Sequence, residues 1–203
     1  MATIPEGFII PDFGGAASKP AAAGASGAEG GATSTYTGPR KIAFICSKGN
    51  LDMAYPGLIM ANAALGEGVE VHIFFTFWGL DIIHKKLNKK LRFTFAGNTA
   101  MHMPELGYIK PGLEHISFPQ SFANIPGVTR FGTNYMKNAM EDLGIPTVSD
   151  MISLLSDAGA HMYACRLTVE MMKFIEADLE GIEGVISATD FIEISEGAQI
   201  IFI

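Results

Sequence analysis

Two cysteines, Cys46 and Cys165, are the residues of this 203-residue chain best suited to nucleophilic chemistry. Cys165 lies in His161-Met162-Tyr163-Ala164-Cys165-Arg166-Leu167-Thr168-Val169-Glu170-Met171-Met172. This stretch reads as a short strand that ends at Ala-Cys and passes at once into a helix. Leu167, Met171 and Phe174 recur there at spacings of three and four, while Arg166, Glu170 and Lys173 take another face. A thiol at the first helical turn meets unpaired backbone N–H groups and the positive end of the helix dipole, both of which favour its anion. Arg166 beside it pushes the same way. Thiolate is the form that does sulfur chemistry. The competing reading is a buried structural cysteine, a common fate for a free thiol.

Cys46 closes Lys41-Ile42-Ala43-Phe44-Ile45-Cys46, an unbroken run of the kind expected of a strand buried on both faces of a parallel sheet. The turn Ser47-Lys48-Gly49-Asn50 follows, with Asn50 a candidate N-cap for a helix through Leu51, Tyr55, Leu58 and Leu65 that Pro56 should kink or shift. Such a turn could hold a phosphate at a helix N-terminus. It lacks both G-x-G-x-x-G and the eight-residue P-loop pattern, so dinucleotide or nucleoside triphosphate binding has weak support. Trp78, after the second strand, is a candidate wall for the same crevice, although core packing explains it equally well. His161 starts its strand, away from the sulfur edge, and reads as structural.

The elements that must position these residues alternate. Strands are expected at 41–46, 69–75, 161–165, 184–186 and 199–203, with helices between them, including stripes through Tyr135, Met136, Met140 and Leu143 and through Met151, Ile152 and Leu155. Alternation predicts an α/β fold with a parallel sheet and right-handed crossovers. We expect a three-layer α/β/α sandwich of the flavodoxin-like kind, with a five-stranded sheet in the order 2-1-3-4-5. In that order the strands ending in Cys46 and Cys165 are neighbours, about 4.8 Å apart, and both sulfurs share one crevice.

Residues 88 to about 134 break the rhythm, and we read them as an insertion after the second strand-helix unit. Lys85, Lys86, Lys89, Lys90 and Arg92 form a basic cluster, more simply a solvated helix end than an anion site. Met101, His102, Met103 and His115 are soft ligands of the kind copper takes, but no spacing fixes a third or fourth ligand. A loop of this length is usually functional or part of an interface, and its Phe, Met and Pro content is expected to pack on another subunit. Residues 1 to about 40 are expected to be a disordered tail, rich in Ala, Gly and Ser and unable to bury a core, with Phe8, Ile9, Ile10 and Phe13 as a small apolar island. Residues 41–203 form the folded domain.

Composition excludes several classes. A net charge of −7 argues against a nucleic-acid binder. No long charge-free apolar run suggests a membrane span, and no basic and apolar leader suggests secretion, so the expected location is the cytoplasm. Two cysteines are too few for a disulfide framework and fit a redox or catalytic pair in a reducing compartment. No cofactor is expected.

The chain resembles the DsrE/DsrF-like family of sulfur-trafficking proteins over roughly residues 41–203. The likeness rests on K-I-A-F-I-C-S-K-G-N-L-D, F-F-T-F-W-G-L, Y-M-K-N-A-M-E-D-L-G-I-P-T-V-S-D-M and H-M-Y-A-C-R-L-T-V-E-M-M. It is closest to the larger soluble two-cysteine branch sometimes labelled peroxiredoxin-like. The resemblance implies a sulfur carrier or sulfurtransferase in sulfur oxidation or sulfur relay. Cys165 would bear the persulfide and Cys46 would be the second cysteine. It also implies rhodanese-type and TusA-type partners and a homo-oligomer. The alternative is a nucleotide- or flavin-binding regulatory module that uses a flavodoxin-like crevice with the cysteines as bystanders.

If the tail contributes nothing to the core, a chain beginning at Tyr36 should melt within a degree or two of the full-length protein, since only core or cap losses move stability by more. A large drop in melting temperature would show that the tail docks.

Overall fold

The centre of the sheet is β1 (Lys41–Cys46), which pairs in parallel with β2 (Glu70–Phe75) on one side and β5 (Gln199–Phe202) on the other. β3 (His161–Cys165) pairs with β2 and with β4 (Gly184–Ile186), also in parallel. The structure is a computed structural model and describes residues 40–203 apart from 94–95, 98–101, 103 and 118. Chain contacts divide the protein between Gly38 and Pro39. The apolar island at Phe8–Phe13, and Met101 and Met103, lie outside the described residues.

Among the described residues six helices connect the strands: α1 (Leu51–Gly66), α2 (Leu80–Ile83), α3 (Val128–Asp142), α4 (Val148–Asp157), α5 (Arg166–Met172) and α6 (Ala188–Ile194). α1 runs unbroken through Pro56. Thr147 caps α4 by accepting from the Asp150 N–H, and Ser187 and Asp190 form a reciprocal capping box on α6. α3 opens at Val128, earlier than the stripe from Asn134 implied, because Gly127 takes a left-handed φ of 92° and reverses the chain there. Between α2 and α3 the described residues form short 3-10 turns, tied to α3 where Thr133 Oγ1 accepts from the Phe93 N–H at 3.0 Å.

The sandwich has three layers, as expected, but its strand order is β4-β3-β2-β1-β5 rather than 2-1-3-4-5. β2 therefore stands between β1 and β3. The cause lies in which sheet face each helix covers. Leu58 of α1, Ile83 of α2, Ile152 and Leu155 of α4 and Val169 of α5 share one apolar cluster with Phe44, Ile73, Phe75 and Met162. Helices on one face with right-handed crossovers carry the chain stepwise in one direction, from β1 to β4. Among the described residues, α6 alone covers the other face, where Phe191 stacks on Phe74 at 4.5 Å, and its crossover returns the chain to the far side of β1. Alternation of strands and helices dictates a parallel sheet; the direction of travel depends on these face assignments.

At the carboxyl edge of the sheet two turns meet backbone to backbone. Thr76 N–H donates to the Cys46 carbonyl at 3.0 Å. A Cβ on Gly79 would lie 2.0 Å from that same carbonyl oxygen, and one on Gly49 2.5 Å from the Trp78 oxygen. Neither obstacle is a side chain that can swing away. Gly79→Ala is therefore expected to cost about 2 kcal/mol or more, as an overpacked site does. Gly66→Ala, whose Cβ meets open space, should be neutral or slightly stabilising. Chemical denaturation of the two variants measures the contrast, and equal stabilities would contradict it.

Candidate active-site cysteine

Cys165 is the last residue of β3 and the N-cap of α5, with extended backbone at φ −71°, ψ 116°. The residue is 6% exposed and lies on the sheet face covered by α6, with Ala43, Phe74, Tyr163 and Phe191. Burial alone would raise its pKa. Four donors oppose it, namely the Thr168 hydroxyl, the Thr168 N–H, the Thr76 hydroxyl and the Leu167 N–H, and together they hold the thiol below its ordinary value. No formed side-chain cap is present at Cys165. The two N–H groups thus act as aligned dipoles at the helix start.

Thr168 is the hub of this arrangement. It is buried at 2% exposure, its Oγ1 accepts from the Phe77 N–H at 3.2 Å, and the Thr76 hydroxyl oxygen lies 3.2 Å away. Phe77 adopts a left-handed φ of 47°, uncommon for a bulky residue and held here by that hydrogen bond. Its ring stacks on Trp78 at 6.0 Å, and the two aromatics are 47% and 62% exposed. Sequence reading missed Thr76, Thr168 and Phe77. Thr168 had a local signal, since the third residue after an N-cap is where a side chain reaches back to it. Thr76 had none, because its proximity depends on β2 pairing with β3.

Cys46 is in different surroundings. It is 1% exposed, and burial pushes its thiol up to about 12. Its Sγ would be 3.2 Å from a Cβ on Gly57, so α1 packs directly over the sulfur. Cys46 belongs to the cluster on the opposite sheet face from Cys165. Its register partner is Phe75, which in turn pairs with Ala164. Two strand spacings, about 10 Å of backbone, separate the strands that carry the two thiols. The shared crevice expected from a 2-1-3-4-5 order is thus not formed.

The other expected neighbours do not act on Cys165 either. Arg166 donates to the Val185 carbonyl at 3.1 Å, and the field on Cys165 comes from threonines and N–H groups instead. Ser47 donates from both N–H and Oγ to the Ile203 carbonyl, at 2.8 and 3.0 Å. Lys48 acts electrostatically on Asp52. Gly49 leaves no room for a Cβ against the Trp78 carbonyl, and the Asn50 carbonyl accepts from Met53 and Ala54 without a side-chain cap. Trp78 lines a cavity with Gly49, Asn50 and Asp81, and it is tied to the Cys165 surroundings only through Phe77, on which it stacks. His161, four residues before Cys165 on β3, is at the other end of the sheet.

A parallel α/β sandwich with a depressed-pKa thiol where a strand becomes a helix is the class of protein these features define. Residues 39–203 match the model of the DsrE/DsrF/DrsH-like family, and the chain belongs to it. It is 37% identical over 145 residues to the sulfur carrier protein DsrE2 of Allochromatium vinosum, covering 71% of this chain and 86% of that one. It is 25% identical over 140 residues to the uncharacterized protein YrkE of Bacillus subtilis, covering 69% and 81%. The solved structure of MTH1491 from Methanobacterium thermoautotrophicum, a protein of unknown function, aligns with TM-score 0.47 and 12% identity over 81% of this chain and 99% of that one. Among the described residues no helix is long and apolar enough to cross a membrane.

Removing the Thr168 hydroxyl, the strongest of the groups that lower the Cys165 thiol, tests the electrostatics directly. Thr168→Val should shift the Cys165 thiol upward, so its alkylation by iodoacetamide at neutral pH slows severalfold, while the rate at high pH, where every thiol is ionised, changes little. Equal rates at neutral pH would mean that Thr168 does not stabilise the thiolate.

Proposed function

We propose that this protein carries sulfane sulfur as a persulfide on Cys165 and hands it to partner thiols in sulfur relay or sulfur oxidation. The observation that supports this most is the contrast between the two thiols, one held below and the other far above its ordinary pKa. A relative named as a sulfur carrier points the same way. In the loading step the Cys165 thiolate attacks the outer sulfur of a donor persulfide, R–S–SH. The new bond is Cys165 S–S, the donor's S–S bond breaks, and R–S⁻ leaves with the electron pair. In the second step an acceptor thiolate takes the same outer sulfur, forming its own persulfide and regenerating the Cys165 thiolate. No net oxidant or reductant is required. A sulfurtransferase activity is the rate of this exchange.

In this reading the sulfur passes between Cys165 and a partner, not from Cys165 to Cys46 within one chain. Cys46 keeps a structural role under α1. Rhodanese-type donors and TusA-type acceptors, each presenting a reactive thiol, suit such an exchange, and both cysteines are free as a reducing cytoplasm would keep them. Exposed Leu167 and Met171 on α5 and Phe77 and Trp78 beside it give a partner, or a second copy in a homo-oligomer, an apolar surface next to the thiol.

Incubation with a polysulfide donor should add about 32 Da per sulfur to the intact mass, the signature of persulfidation. Peptide mapping should place it on Cys165. Cys165→Ser should abolish the gain and Cys46→Ser should leave it at the wild-type rate. Loading of Cys165→Ser at the wild-type rate would refute the assignment.

A further inference from the structure

At the end of the sheet remote from Cys165, two histidines stand side by side. His72 on β2 and His161 on β3 are register partners, and their rings stack with centroids 4.8 Å apart. Carboxylates flank the pair. Glu70 Oε1 is 2.7 Å from His72 Nε2, and Glu183 Oε1 is 2.6 Å from His161 Nδ1. Glu70 comes two residues before His72, so strand alternation puts both on one sheet face. One donor atom from each of Glu70, His72 and His161 lies within 4.8 Å of the others.

From this juxtaposition we infer a binding site for a divalent transition-metal ion of the zinc type, with His72, His161 and Glu70 as ligands. Imidazole and carboxylate suit such borderline ions. Zinc–ligand distances of about 2.0–2.2 Å require donors within about 4 Å of each other, so the side chains must draw in by roughly 1 Å. Glu70 and His161 are 45% and 41% exposed in their side chains and have room to do so. Glu183 takes the part of the carboxylate that orients a ligating imidazole through its second nitrogen. His72 is the fixed element: its side chain is 5% exposed, and its Nδ1 is buried with no hydrogen-bond partner. Its other ring nitrogen, Nε2, faces Glu70 and is the one offered to the ion.

Charge supports a cation here. Lys41 Nζ lies 3.3 Å from Glu70 Oε1 and also donates to the Ile194 carbonyl. Two carboxylates against this one ammonium leave the cluster net negative when the imidazoles are neutral. Lys41 also competes for Glu70, which points to moderate rather than tight affinity. The site is independent of the sulfur chemistry, being four residues along β3 from Cys165, about 13 Å.

Calorimetric titration of Zn2+ into metal-stripped, reduced, tag-free full-length protein tests the inference. The expected result is one saturable equivalent with a raised melting temperature, unchanged in Cys165→Ser. His161→Gln should lower the affinity by about 100-fold or more, since loss of even an outer-shell partner costs 10–100-fold. Glu70→Gln, at an exposed position, should weaken binding in the same direction and serves if the histidine variant folds poorly. Absence of saturable binding, wild-type affinity in both variants, or loss of binding in Cys165→Ser would each overturn the site.

Discussion

The arrangement depends on the field that the start of α5 and two threonine hydroxyls impose on one sulfur. A thiol at 6% exposure would ordinarily be a poor nucleophile, because burial disfavours its anion. At Cys165 that penalty is outweighed by donors whose positions are set by the fold. Leu167 and Thr168 follow it in the helix, and Thr76 arrives from β2. Cys46 isolates the comparison. It too ends a strand of the same sheet, but α1 lies directly over it and no donor offsets its burial. Similar placement at strand ends yields two thiols of opposite character.

The scaffold explains why the donors stay in place. Thr168 holds Phe77 by its N–H, and Phe77 accepts a left-handed backbone to keep that contact. The turn that follows is locked against β1 by glycines where no side chain fits. Among the described residues, α6 covers the face that carries Cys165, with Phe191 as its wedge against Phe74 and Tyr163. At the carboxyl edge of the sheet, where β2 ends, Phe77 and Trp78 form an exposed aromatic pair.

Much of this was legible in the chain. A continuous apolar run marked β1, and the Ala-Cys junction marked the strand-to-helix transition, because both signals are local. The class of fold followed from their alternation. Strand order did not, since it depends on which sheet face each amphipathic stripe covers, and many stripes fit either face. That single unknown carried the expectation that Cys46 and Cys165 share a crevice. Arg166 looked like the electrostatic partner because it is adjacent in sequence, yet a residue following an N-cap can turn outward, and it does so toward Val185. Thr76 is far from Cys165 in sequence, and only the pairing of β2 with β3 brings it to the sulfur.

The central claim is that Cys165 ionises more readily than a free thiol although it is buried. The most direct measurement is a pH titration of the ultraviolet thiolate absorbance, taken as the difference between the wild-type protein and Cys165→Ser. The account predicts a single transition with its midpoint below the free-thiol value of about 8.5, thiolate being lost as the pH falls through it. A midpoint at or above that value would show that burial wins at Cys165 and would contradict the account.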